Sequence, residues 1–256
     1  MITMKAIISR SVLLSFVIIS SIIISSTIIS SIIISSTATA QTQAFSCLTG
    51  GKLTGEQGRT LLEKVQARYS QIESLEGSFK QDSYVAALDE GEVSSGEMIF
   101  AKPGRMRWSY KQPREQEVVI RERELWLYQI DKQQILIDDI GQVLLSNLPV
   151  SFMMGIGNLS RDFELKGACR GAEGVVLTLS PQPSKTAADQ KDSLDGFELL
   201  IDEAQNLPKG AKIKSLGGNV TAIIFDKLRV GSGSIDALKF VLEYPKGVDV
   251  MDRRIH

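Results

Sequence analysis

Acid–base and nucleophilic chemistry near neutral pH draws most often on histidine, and this 256-residue chain has one, at its last position, His256. A Ser–His–Asp or Cys–His arrangement would need a histidine inside the fold. One histidine also leaves almost no material for a His-based metal centre, so neither a metal nor a cofactor is expected. Gly155-Ile156-Gly157 lacks a third glycine at phosphate-loop spacing and has no suitable strand before it. Carboxylates do come in pairs, Asp138-Asp139 and Glu122/Glu124, and two of them facing each other would suit glycoside-type hydrolysis. Adjacent aspartates in a turn are more often simply solvated. Arg121-Glu122-Arg123-Glu124 alternates in sign, as a water-facing strand or turn does. Catalysis has little support in these residues.

The richer resource is apolar. Trp108, Trp126 and Tyr128 accompany Phe79, Phe100, Met106, Phe152, Met153 and Met154, more than a half-exposed sheet needs. These residues either fill a tightly packed core or line a concave cavity for an apolar ligand, closed by the segment 143–158. Methionines favour the cavity, since their flexible side chains adapt to ligands of variable shape.

Helical spacing of Leu61, Leu62, Val65, Tyr69 and Ile72 predicts one amphipathic helix over 56–71. The period then changes to two. Leu75, Gly77, Phe79 and Gln81 fall on one side of a first strand, Gly91 and its neighbours form a turn, and Met98 and Phe100 continue the pattern. Met106, Trp108 and Tyr110 share a face, with Arg105, Arg107 and Ser109 on the other. Strand-like runs follow at 117–120, 125–130 and 134–138, then at 161–169, 174–180, 196–202, 209–215, 220–229 and 237–242. Between them, 143–158 breaks the alternation with Pro149, adjacent methionines and glycines, as short helices or a lid would, and 181–195 is a polar loop. The expected fold is mainly β with α, an antiparallel barrel or strongly curved sheet with helices over one face, in one domain across 41–256.

Charge is nearly balanced, 29 basic against 30 acidic side chains, so nothing favours nucleic acid as a partner. The first 40 residues hold two basic groups, Lys5 and Arg10, and no acidic one; setting them aside leaves 27 basic and 30 acidic, net −3. Lys5 and Arg10 precede an apolar stretch over 11–36, and Ala38-Thr39-Ala40 stands before Gln41. That order reads as a secretory signal peptide over 1–40 cleaved near Ala40, against an uncleaved membrane anchor as the competing reading. Cys47 as an acylated residue fits poorly, because Phe45 occupies a position that wants a small side chain. Both cysteines, Cys47 and Cys169, fall in the exported part, where an even count permits one disulfide tying the 41–55 extension to the domain. Two unpaired buried thiols are the alternative.

The order of several motifs carries a resemblance. Gly77-Ser78-Phe79-Lys80-Gln81 follows the first helix, and then comes Ser95-Gly96 through Phe100-Ala101-Lys102-Pro103 to Arg107-Trp108-Ser109-Tyr110. Pro113 and 115–120 precede Leu125-Trp126-Leu127-Tyr128, and Gly218-Asn219-Val220-Thr221 and 240–250 close the series. From about 58 to 252 the chain resembles the LolA family of periplasmic outer-membrane lipoprotein carriers. The resemblance implies an unclosed half β-barrel with a helical lid over a hydrophobic cavity. It also implies a monomeric, non-enzymatic chaperone of the periplasm. Such a carrier accepts acylated lipoproteins from an inner-membrane ABC lipoprotein-release complex and passes them to an outer-membrane lipoprotein receptor. Cavity-lining positions would be Phe79, Met98, Phe100, Met106, Trp108, Tyr110, Ile120, Leu125, Leu127, Phe152 and Met153. The family's lid latch, commonly an arginine before the proline of the second motif, falls on Lys102, whose ammonium lacks the two-pronged geometry of a guanidinium; Arg105 is the other candidate. A receptor or lipid sensor of the same fold, and less readily a carboxylate-dependent hydrolase, are the alternatives.

Overall fold

The computed structural model describes residues 43–139, 152, 157–182 and 194–254. The leader with its cleavage position, most of the 143–158 segment including Met153 and Met154, and most of the 181–195 loop lie outside the described residues.

A long helix follows the first strand. α1 (Gly55–Ser70) begins at Thr54, whose side chain accepts from the Gln57 N–H while the Gln57 side chain accepts from the Thr54 N–H. This reciprocal cap satisfies two of the four free N–H groups of the first turn. Leu61, Leu62, Val65 and Tyr69 form its buried stripe. Gly58 lies on the same side, where a Cβ would come within 2.8 Å of the Leu165 side chain.

The strands are β1 (Cys47–Lys52), β2 (Ser74–Val85), β3 (Glu90–Ala101), β4 (Arg105–Gln112), β5 (Gln116–Arg121), β6 (Glu124–Gln129) and β7 (Gln134–Asp139). After the short helix α2 (Leu159–Asp162) come β8 (Phe163–Gly171), β9 (Val175–Pro181), β10 (Leu194–Asp202), β11 (Leu207–Ser215), β12 (Val220–Gly231) and β13 (Asp249–Asp252). They form one sheet, in the order β1-β8-β9-β10-β11-β12-β2-β3-β4-β5-β6-β7-β13. Among the described residues, only β13 runs parallel to its neighbour, β7. The ends of the sheet are β1 and β13, so it does not close. It curls nonetheless, because Leu177 and Phe197 from one flank share a hydrophobic core with Met98 and Leu125 from the other. The flanks join where twelve-residue β2 lies antiparallel to twelve-residue β12. This is a mainly β, unclosed half-barrel with α1 over its concave face.

Three sequence expectations change, and two strands are added. The first hairpin turns at 86–89, with Asp89 at φ 52°, and Gly91 is already inside β3 opposite Tyr84. Arg161 and Asp162 belong to α2 rather than to a strand, because Asn158 accepts from the Arg161 N–H and the Asp162 carboxylate accepts from the Asn158 N–H. The run at 237–242 is a 3₁₀ turn over Ala237–Phe240 begun by Asp236, whose side chain accepts from the Leu238 N–H. Phe240 and Leu242 are both buried, so burial alternates as in a strand although the backbone pairs with none. Finally, β1 and β13 are edge strands in polar, glycine-containing or charged sequence with no alternating apolar face.

Candidate functional site

Strand alternation decides which side chains reach the concave face. In β4 these are Met106, Trp108 and Tyr110; the register places Met106 opposite Ile120 and Trp108 opposite Val118. Ile120 in turn faces Leu125, and Val118 faces Leu127. On β3, Met98 lies opposite Trp108 and Phe100 opposite Met106. Directly opposed residues in a ladder point to the same side of the sheet. Ten of the positions expected to line a cavity, Phe79, Met98, Phe100, Met106, Trp108, Tyr110, Ile120, Leu125, Leu127 and Phe152, therefore meet in a single cluster. Met153 is outside the described residues.

Aromatic edges organise this floor. Phe79 meets Trp108 at 4.5 Å between ring centroids and Tyr110 at 5.0 Å, both edge-on, the arrangement that ring quadrupoles prefer. Gly96 makes this possible: opposite Tyr110, a Cβ there would stand 2.1 Å from the Ser109 carbonyl oxygen. α1 covers the floor from above. Its Tyr69 ring lies 4.6 Å from Phe152 and 6.2 Å from Phe100. Burial raises the Tyr69 phenol well above its ordinary range, and burial does the same to Tyr110.

Lys102 sits beneath the C-terminal end of this helix. Its N–H donates to the Glu73 carbonyl at 2.9 Å, and its ammonium donates to the Tyr69 carbonyl while lying 5.0 Å over the Tyr69 ring. A cation at the last turn adds a charged donor to a carbonyl that also accepts from the Ile72 N–H, and it complements the helix dipole. Burial lowers the Lys102 ammonium below its usual range, opposed by the Glu73 carboxylate. The carbonyl it holds belongs to α1 and not to 143–158, where sequence reading set the lid. Arg105 faces the other way. Its guanidinium lies 5.2 Å over Phe240 on the convex face and reaches the Lys102 carbonyl at 3.3 Å, so neither of these contacts is to α1 itself.

Trp126 and Tyr128 also change sides. They sit with Val119, Ile135, Ile137, Phe240 and Leu242 in a second cluster, under the C-terminal segment, instead of beside Phe79. Sequence reading missed the opposite wall of the concave face, where Leu177, Leu179, Phe197, Leu199, Ile223 and Phe225 complete the floor. Their period-two spacing in β9, β10 and β12 was the available signal. Gln81 and Thr221 entered that reading only as strand and motif positions; with Ser83 and Ser94 they make four buried polar residues on that face. The cysteines are joined: Cys47 and Cys169 form a disulfide with Cα atoms 5.6 Å apart, fastening β1 to the edge of β8.

The chain is similar to proteins already known. The family described as outer membrane lipoprotein carrier protein LolA matches residues 70–241. An outer-membrane lipoprotein carrier protein of Halorhodospira halophila is 28% identical over 195 residues, covering 75% of this chain and 85% of its own. One from Azotobacter vinelandii is 30% identical over 201 residues, covering 75% and 84% respectively. Among solved structures, an uncharacterized conserved protein from Thermus thermophilus superposes with a TM-score of 0.47 at 16% identity, over 77% of this chain and 99% of that one. With the match spanning both flanks of the sheet and the strand that leads into Lys102, this chain belongs to the LolA family.

Proposed function

We propose that this protein is a periplasmic carrier of lipoproteins. It receives an acylated lipoprotein from an ABC release complex of the inner membrane, shelters the acyl chains on the concave face, and delivers the cargo to a receptor at the outer membrane. The role is one of binding, with no bond made or broken. The observation that carries it is the concave face itself: a continuous apolar floor drawn from β2–β6 and β9–β12, under a helix held at its end by one lysine, in a chain whose curated relatives are named lipoprotein carriers.

A methylene in water costs about 0.8 kcal/mol, so a carrier must cover most of an acyl chain. The floor is packed under α1 and Phe152, which matches an unloaded, closed state. Cargo then competes with the protein's own cover. Closing the helix over the floor helps expel the chains, and the Lys102 contact adds to closure. Handover thus needs a cover that is only modestly stable. The 1–40 leader with cleavage near Ala40 supplies export, and the Cys47–Cys169 bond suits an oxidising compartment.

The test is release of newly made lipoprotein from spheroplasts by the purified protein. A soluble complex formed with acylated cargo and not with an unacylated version supports the carrier. Lipid bound to the purified protein without any release would favour a sensor of the same fold, and neither release nor bound lipid would overturn the reading.

A further inference from the structure

The apolar floor ends in a patch of a different kind. On β2 the concave positions after Phe79 are Gln81 and Ser83; the register sets Gln81 opposite Ser94 and Ser83 opposite Thr221. All four are at most 9% exposed. The Tyr110 hydroxyl donates to the Gln81 amide oxygen at 3.0 Å, and the Gln81 amide nitrogen donates to the Ser83 hydroxyl at 2.9 Å. Among the described residues, the hydroxyls of Ser94 and Thr221 have no side-chain hydrogen bond. A buried hydroxyl without a partner is costly, and a fold retains one where something else fills the bond.

Among the described residues, the patch holds no ionised group. Lys80 and Asp82 alternate to the other face, and the nearest charges on its own face are Glu92, opposite Ser83, and its ion-pair partner Arg114, both half-exposed. A phosphate placed among Gln81, Ser94 and Thr221 would be desolvated without a free cation beside it. Neutral acceptors suit the site far better. Beyond the patch, the floor runs along β3 through Met98 to Phe100, about 20 Å from Ser94 at the rise of a strand, comparable with an extended fatty acyl chain.

We infer that Gln81, Ser83, Ser94 and Thr221 bind the uncharged ester and amide linkages of a diacylglyceryl group, with Tyr110 holding the Gln81 amide in place and the chains lying along the apolar floor towards Lys102. The inference rests on the carrier reading and adds an orientation to it: the polar root of the lipid lies near the Glu92–Arg114 rim, and the chain ends point towards the end of α1. Such a site selects for carbonyl oxygens, not only for chain length.

The experiment compares two synthetic lipopeptides of equal chain length, one with ester-linked chains and one with ether-linked chains that lack the carbonyl oxygens. Binding to the full-length protein is measured for the wild type and for the near-isosteric double variant Ser94→Ala/Thr221→Val. The wild type should bind the ester form about tenfold more tightly, and the variant should lose that preference while its ether affinity is unchanged. A matched pair of ester and ether phospholipids separates the two sources of the group. An ester preference confined to the lipopeptides supports a lipoprotein source, and one confined to the phospholipids overturns it. Equal wild-type binding of ester and ether lipopeptides, or a preference that survives in the variant, overturns the patch assignment and makes it a water site of the fold. Should the double variant not fold, the wild-type comparison still decides. No binding of any probe overturns the carrier reading itself.

Discussion

The two faces of the sheet are covered by quite different means. On the concave face, α1 lies over a broad apolar floor; among the described residues, the Lys102 ammonium reaches its last turn and the Leu159 N–H bonds to Gln66. On the convex face, the C-terminal segment is fastened repeatedly. Arg107 reaches the carbonyls of Lys239 and Val241, Lys239 pairs with Glu76, Arg254 binds Asp252 and Glu124, and β13 adds a ladder to β7. The N-terminal segment is tied by a disulfide while Ala44 and Phe45 insert beside Val176, Leu200 and Ala222. Non-directional apolar contact resists sliding weakly, whereas directional bonds must break one by one. On the proposed carrier reading, the cover that yields to cargo is built from the first kind, and covers that stay are built from the second.

That contrast can be broken at graded cost. Trp108→Ala should remove about 3–5 kcal/mol of stability and abolish lipoprotein release, whereas Trp126→Ala on the convex face should leave release intact; denaturant melts and the spheroplast assay read both. Equal loss of release in the two variants would end the distinction between faces. Cys47→Ser/Cys169→Ser should lower stability by about 2–4 kcal/mol with handover unchanged, since the bond constrains the unfolded chain and lies remote from the Lys102 end of α1. Lys102→Leu should favour the loaded state, raising cargo affinity about tenfold and slowing transfer to the receptor, because a charged hydrogen bond that stabilises closure is lost. Unchanged transfer would remove the latch from the mechanism.

The smallest effect concerns pH. Hydrogen bonding from Lys239, against some desolvation, holds the Glu76 carboxyl below its usual 4.5; the Trp126 indole and Arg254 do the same for Glu124. A depressed carboxyl stabilises the fold above its unfolded value and ceases to do so as pH falls through the lower folded value. Acidification from about pH 5 towards 3 should therefore loosen the C-terminal segment first, by less than about 1 kcal/mol for such exposed pairs. Hydrogen exchange over 237–254 measures it, and earlier loosening of α1 would contradict the comparison.

Much of the floor was legible in the linear chain. Met106, Trp108 and Tyr110 alternate with Arg105, Arg107 and Ser109, and one face of that pattern had to be buried whatever the topology. Helix α1 was equally plain, since Leu61, Leu62, Val65 and Tyr69 recur at its period. Trp126 and Tyr128 show where such reading stops. β6 has large apolar groups on both faces, Leu125 and Leu127 on one and Trp126 and Tyr128 on the other, so composition does not reveal that a distant segment covers the second face. Residues 237–242 mislead in the same way, because two buried side chains two apart imitate a strand.

The sequence by itself determined the class of the protein: alternating short strands, one amphipathic helix, a single terminal histidine that leaves catalysis little material, and an order of motifs that resembles one carrier family. These follow from local periodicity and residue chemistry, which act over a few residues. Tertiary structure alone decided which wall completes the concave floor, that Lys102 holds α1 while Arg105 turns to Phe240, and that Gln81, Ser83, Ser94 and Thr221 meet in one buried patch. Register and curl bring together residues over a hundred positions apart, and that pairing is a property of the curled sheet as a whole, not of any segment within it.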